Sequence, residues 1–175
     1  MYAELNITSN FSFLKGASHP EEYMSRAAAL GMKAIAIADE NSVAGIVRAH
    51  ARAREIARQV KERQDWETTH GKMGPHLPDG FHNPERAPTL YATPRLIPAA
   101  RLVFKDACDI TALPVCRTGW GNLCRILSAG RLRAEKGSCD LQLADLLERA
   151  EGLQLILWPE AQQGQRGAGD WMQTA

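Results

Sequence analysis

Two adjacent carboxylates, Asp39 and Glu40, close a short apolar run, Ala34 to Ala38. The run reads as a strand buried on both faces, as in a parallel sheet. In α/β folds chemistry gathers beyond the carboxyl ends of such strands, so an acid, a base or a metal ligand could sit there. Two turn carboxylates that solubilise a loop fit the same residues, because turns favour Asp and Asn whatever the function. Asn41 or Ser42 is placed to cap a helix beginning near Val43.

Other reactive residue types are scattered. His70, His76 and His82 are six apart, which matches no compact zinc motif. Cys108, Cys116, Cys124 and Cys139 form no C-x-x-C pair and read as small buried residues in a reducing compartment. Arg54, Arg58 and Lys61 share one helix face and read as a solvated row. Arg125, Arg131, Arg133 and Lys136 form a second basic cluster, read as a solvated turn or, in the alternative, as a surface for DNA or a repair partner. No G-x-x-x-x-G-K, G-x-G-x-x-G or G-x-S-x-G occurs, which removes the simplest nucleotide-binding and hydrolase readings.

The elements that would position these groups alternate. Tyr2 to Thr8 reads as a strand, followed by a loop from Ser9 to Gly16 with Phe11 and Phe13 as aromatic anchors. Ser18 to Glu21 is a capping box with proline in the first turn, opening a helix that Gly31 ends. With Ala34 to Ala38 this makes a parallel β-α-β unit. A helix then runs from Val43 to about Arg63. Residues 64–94 read as an irregular Pro- and Gly-rich insertion. Order returns at Arg95 to Lys105 and at Ile110 to Val115, where Pro114 marks an edge strand or a strand end. Thr118 to Ala129 is helical with Gly130 as its stop. Leu143 to Ala150 is a short helix with Asp145, Glu148 and Arg149 outward, and Leu153 to Trp158 is a strand. Residues 161–175 read as a linker and a helix start, so the expected domain spans 1–160.

At 175 residues, 45% of them hydrophobic, the chain can bury one ordinary core. A formal charge of +1 gives no global pull toward nucleic acid or membrane. No signal peptide and no bilayer-length apolar run is seen, so the expected location is the cytoplasm with no membrane partner.

Several segments in order carry a family likeness. Glu4 to Glu22, Ala27 to Gly31, Ala36 to Gly45, Arg95 to Phe104, Trp120 to Asp140, Ala144 to Glu148 and Glu151 to Leu153 resemble the PHP domain that opens bacterial C-family error-prone DNA polymerases. The resemblance implies an α/β fold, a partial PHP-type distorted barrel of about seven strands in the complete form. It implies DNA as partner through the full-length polymerase, other repair proteins besides, and a role in replication past damage. The Mg²⁺-dependent palm would lie beyond residue 175, so this stretch itself would carry no polymerase activity, no catalytic residue and no cofactor.

PHP domains that hydrolyse phosphate esters hold several metals through His, Asp, Glu and Cys. By resemblance their ligand positions fall on Asn6, Thr8, Asp39, Glu40, Arg101 and Asp109, and of these only Asp39 keeps its ligand type. Asn and Thr do not replace imidazole for a zinc-like ion. An arginine beside a divalent ion meets about 8 kcal/mol of repulsion at ~4 Å and an effective dielectric of ~20. The resemblance therefore implies a degenerate, metal-free site in which Arg101 pairs with Asp39, Glu40 or Asp109, all six positions converging at one end of the barrel. The alternatives are a metal-dependent phosphoesterase or 3′-5′ exonuclease, and a stand-alone interaction module.

Overall fold

The computed structural model describes residues 2–70 and 92–158. The histidines at 76 and 82, most of the expected insertion and the tail from 159 lie outside the described residues; His70 is placed only as the last residue of a helix. The chain order is β1 (Ala3–Ile7), α1 (Pro20–Ala29), β2 (Ala34–Glu40), α2 (Ala44–His70), β3 (Arg95–Leu102), β4 (Asp109–Pro114), α3 (Arg117–Arg133), α4 (Leu143–Leu147) and β5 (Leu153–Trp158). The five strands form one sheet in sequence order. β1, β2 and β3 are parallel, while β4 runs antiparallel to both β3 and β5. Pro114 is the last residue of β4, a strand paired on both sides, so its missing N–H falls at the strand end.

Each face of the sheet has its own packing. On the outer face Ile35 and Ile37 meet Met24, Ala27 and Ala28 of α1 and Ile46, Ala49 and Ile56 of α2. Ala100, Leu102, Ile110 and Ala112 meet Leu123, Ile126 and Leu127 of α3. The inner face is lined by smaller groups: Ala36, Ala38, Ala99 and Leu113, with Leu5, Ile97 and Ile156 against them. A hydrogen bond joins the side chains of Asn6 on β1 and Thr111 on β4, which a flat sheet forbids. The sheet is curled into a half-barrel, and alanines on its concave side allow the curl.

A bulge in β1 turns two successive side chains inward. Glu4 pairs with Ile35 and Ile7 with Ile37, so Leu5 and Asn6 together face Ala36. Two residues opposite one turn both side chains toward the same face. Leu5 enters the inner cluster, and Asn6 follows it inward while Ile7 returns to the helix layer.

Several expectations change in detail. Residues 64–70 are helical rather than irregular, because Arg58–Glu62 and Arg63–Glu67 pairs at i, i+4 carry α2 onward. The capping box shifts by one residue: His19 is the N-cap, and its N–H donates to Glu22. Phe11 and Phe13 are not anchors, since Phe13 is 85% exposed and the buried residue between them is Ser12. Gly130 does not stop α3, which continues to Arg133. Gly130 is buried where Leu141 and Cys139 press close, and a side chain there would collide with both. The expected buried cysteines are four free thiols, with Cys116 exposed at the N-cap of α3, where its sulfur accepts from the Gly119 N–H.

Asp145 is the clearest reversal. It is buried, not outward, and takes two hydrogen bonds from the Arg133 guanidinium, both at 2.9 Å, plus one from the Gln142 N–H. The guanidinium, opposed by partial burial, holds its carboxyl down at about 2. A depressed folded-state pKa gives stability that is complete above the unfolded value near 4 and is lost as pH falls through about 2. Asp145→Asn is therefore expected to lower stability at pH 7 by about 2 kcal/mol. Parent and variant should converge below pH ~2, as denaturant titrations across that range would show.

Candidate functional site

The carboxyl ends of β1, β2, β3 and β5 and the start of β4 meet at one end of the half-barrel, and the polar side chains gather there. They form two separate groups, one on each side of the sheet.

The outer group is built on Asp39. It is 1% exposed and shares strand parity with Ile35 and Ile37, on the helix side. Its Oδ1 accepts from the Ser9 N–H and the Ser12 hydroxyl, and its Oδ2 from the Ser9 hydroxyl, each at 2.8 Å. Ser12 Oγ in turn accepts from the Glu40 N–H. The 9–16 loop is thereby fastened over the end of β2. Gly45 lets the first turn of α2 come this close, since a Cβ there would lie 2.7 Å from Asp39 Oδ2.

The inner group is a chain of side chains. Trp158 Nε1 donates to Thr111 Oγ1 at 2.9 Å, and Thr111 Oγ1 donates to Asn6 Oδ1 at 2.8 Å. Asn6 is on β1 and Thr111 on β4, three strand spacings apart, about 14 Å in a flat sheet. Two short side chains reach across only because both point into the curl. Arg101 donates through Nε (2.9 Å) and a terminal nitrogen (2.7 Å) to Asp109 Oδ2. Its guanidinium lies 6.0 Å from the Trp158 ring centroid, at the outer limit of a cation–π contact.

Of the six positions singled out, Asn6, Arg101 and Asp109 belong to the inner group. Glu40 is the register partner of Arg101 across β2 and β3, but its carboxylate pairs with Lys15 at 2.6 Å. Thr8 enters the contacts through its carbonyl oxygen, which accepts from the Tyr23 hydroxyl. Asp39 corrects the expectation of a single convergent set. Its oxygens are taken by serines on the helix side, and among the described residues no ion pair joins it to Arg101. Ser9, Ser12, Thr111 and Trp158 are site residues that sequence reasoning does not single out. The available signal for Thr111 is its spacing of two from Asp109 along one strand.

These donors do not fit a metal. Among the described residues no three His, Cys, Asp or Glu side chains are grouped to hold an ion. Each side chain that could contribute is already engaged: Asn6 Oδ1 with Thr111, both Asp39 oxygens with Ser9 and Ser12, Asp109 Oδ2 with Arg101 and Glu40 with Lys15. Burial pushes the Cys124 and Cys139 thiols up, which leaves these two little nucleophilic character.

Residues 4–159 match the family model described as the PHP domain. This chain belongs to the PHP domain family. Similar proteins include the error-prone DNA polymerase of Ruegeria pomeroyi, 46% identical over 165 residues that make up 91% of this chain and 15% of that protein. The error-prone DNA polymerase of Rhodopseudomonas palustris strain BisB5 is 42% identical over 159 residues, 90% of this chain and 11% of that one. The PHP domain described here thus spans about a tenth to a seventh of the length of these relatives. A solved amidohydrolase from Chromobacterium violaceum aligns over 74% of this PHP domain and 33% of that chain, with a TM-score of 0.43 and 16% identity. No helix among the described residues is long and apolar enough to cross a membrane.

Proposed function

We propose that this chain is the PHP portion of an error-prone DNA polymerase and serves there as a metal-free structural domain. The observation that carries the reading is the inner network. Asn6 and Arg101 stand at two ligand positions implied by the family resemblance, and hydrogen bonds and an ion pair within the chain engage both. The identity to error-prone polymerases over nine tenths of the chain supports the polymerase context. DNA is then the partner of the whole enzyme, acting in damaged-template replication and repair in the cytoplasm. Magnesium belongs to the palm of that enzyme and not to this domain.

The metal-dependent phosphoesterase and exonuclease readings need imidazole and free carboxylates at the same end, and the described donors are of the wrong type or already bonded. Two assays test the proposal. Primer extension by the purified chain with Mg²⁺ or Mn²⁺ is expected to give no template-dependent incorporation above a no-protein blank. The gene downstream of codon 175 is expected to continue in frame into a palm with paired aspartates. Incorporation by this chain alone, or metal-dependent release of nucleotides from a 3′ end, would contradict the reading.

A further inference from the structure

A surface cleft of about 780 Å³ opens beside the Asp39 group, between the 9–16 loop, the segment after β3 and the end of α3. Its walls combine two kinds of side chain. Phe11 and Phe13 stand out from the loop, 37% and 85% exposed. The loop that holds them is rigidly tied: Ser9 and Ser12 are bonded to Asp39, and the Gly16 N–H donates to the Ser12 carbonyl. Exposed aromatics on a fastened loop form a platform whose ordering cost is already met by the fold.

The facing wall is basic. Lys105, Arg131 and Lys136 line it, with Lys15 on the loop side. Lys15 is paired with Glu40, and Lys105 with Asp140 at 3.1 Å. Arg131 donates to a neutral acceptor, the Asn41 carbonyl oxygen, and among the described residues neither Arg131 nor Lys136 is in an ion pair. Glu40 and Glu135 are the carboxylates of the lining, against four cations. The basic cluster read from the sequence is therefore divided. Arg133 is spent on Asp145 and Arg125 bonds to Asn122, while Arg131 and Lys136 turn to the cleft.

Aromatic faces next to unpaired cations are the chemistry that recognises unpaired bases on a phosphate backbone. A duplex hides its base faces, so the aromatics favour a single strand. We propose that this cleft binds single-stranded nucleic acid, with bases stacked on Phe13 and Phe11 and phosphates at Arg131 and Lys136. The site lies wholly in residues of this chain, so it stands or falls apart from the polymerase reading.

The test is fluorescence anisotropy of the 175-residue chain with a labelled oligo-dT of about 12 nucleotides and a hairpin duplex of the same charge. Saturable binding of oligo-dT, tighter than of the hairpin, is expected at about 50 mM salt. Two neutralised phosphates give a slope of log K against log salt of about −1.4. Phe13→Ala should weaken oligo-dT binding about 5- to 160-fold, the range for one lost stacked base. Lys136→Ala should make the slope shallower by about 0.7. Arg54→Ala, on the exposed face of α2, should change nothing. Circular dichroism of each variant checks the fold, and both mutated cleft side chains point to solvent, so folding is expected to survive. No saturable binding, equal binding of the hairpin, or parent-like binding by both cleft variants would overturn the proposal. So would a Phe13→Ala variant that changes only the state of self-association, which would assign the aromatics to a protein contact.

Discussion

Asp39→Ala is expected to lower the unfolding free energy by about 3–5 kcal/mol, the largest single effect among the polar positions. The carboxylate is buried and receives three hydrogen bonds from two residues of the 9–16 loop. Alanine leaves the Ser9 N–H, the Ser9 hydroxyl and the Ser12 hydroxyl without their acceptor. An unsatisfied buried donor costs about 1–3 kcal/mol. Rotation of the hydroxyls and entry of water reduce the sum, hence the stated range. Asp39→Asn keeps one acceptor oxygen and should cost about half as much. Urea denaturation of the three proteins checks the order. Equal stability of parent and Asp39→Ala would show that the loop is not held through this carboxylate.

Gly119→Ala should be comparably severe, about 3 kcal/mol or more, for a steric reason. Gly119 lies in the first turn of α3 and packs against the backbone of Gly152, which holds φ +74 just before β5. A Cβ on Gly119 would fall inside the van der Waals envelope of the Gly152 carbonyl oxygen and carbon. That carbonyl also accepts from the Val115 N–H, so the turn cannot retreat without loosening the link between β4 and β5. Gly121, two residues along the same helix, has open space where its Cβ would be. Gly121→Ala should therefore stabilise by about 0.5–1 kcal/mol through helix propensity. Thermal unfolding of the pair separates the effects by sign. A stabilised Gly119→Ala would mean that α3 does not approach Gly152 this closely.

The order and type of the elements are legible because their periods are local. Leu153 to Trp158 and the β-α-β start follow from apolar runs closed by Gly31, Pro159 and polar residues. The direction of Asp39 is not legible. Ala34 to Ala38 is apolar on both faces, so the run carries no alternation that would tell which side the next residue takes. The β1 bulge is hidden for a related reason, since one extra residue in a five-residue strand leaves no pattern to break. Asp145 reads as outward because its partner, Arg133, is 12 residues away and nothing local announces the pair. Gly130 has the type of a helix stop but the role of a close contact, which only the position of Leu141 reveals. The metal-ligand positions come from the family resemblance. Their actual partners depend on the curl of the sheet, which brings β1 against β4.

The central claim is that contacts within this chain, Arg101–Asp109 and Asn6–Thr111–Trp158, stand where metal-binding relatives would need ligands. Calorimetric titration of the 175-residue chain with Zn²⁺ and with Mn²⁺ at neutral pH tests it most directly. No stoichiometric heat beyond that of dilution is expected for either ion. Tight one-to-one binding that Asp109→Ala or Asp39→Ala abolishes would contradict it, and would return the phosphoesterase reading to first place.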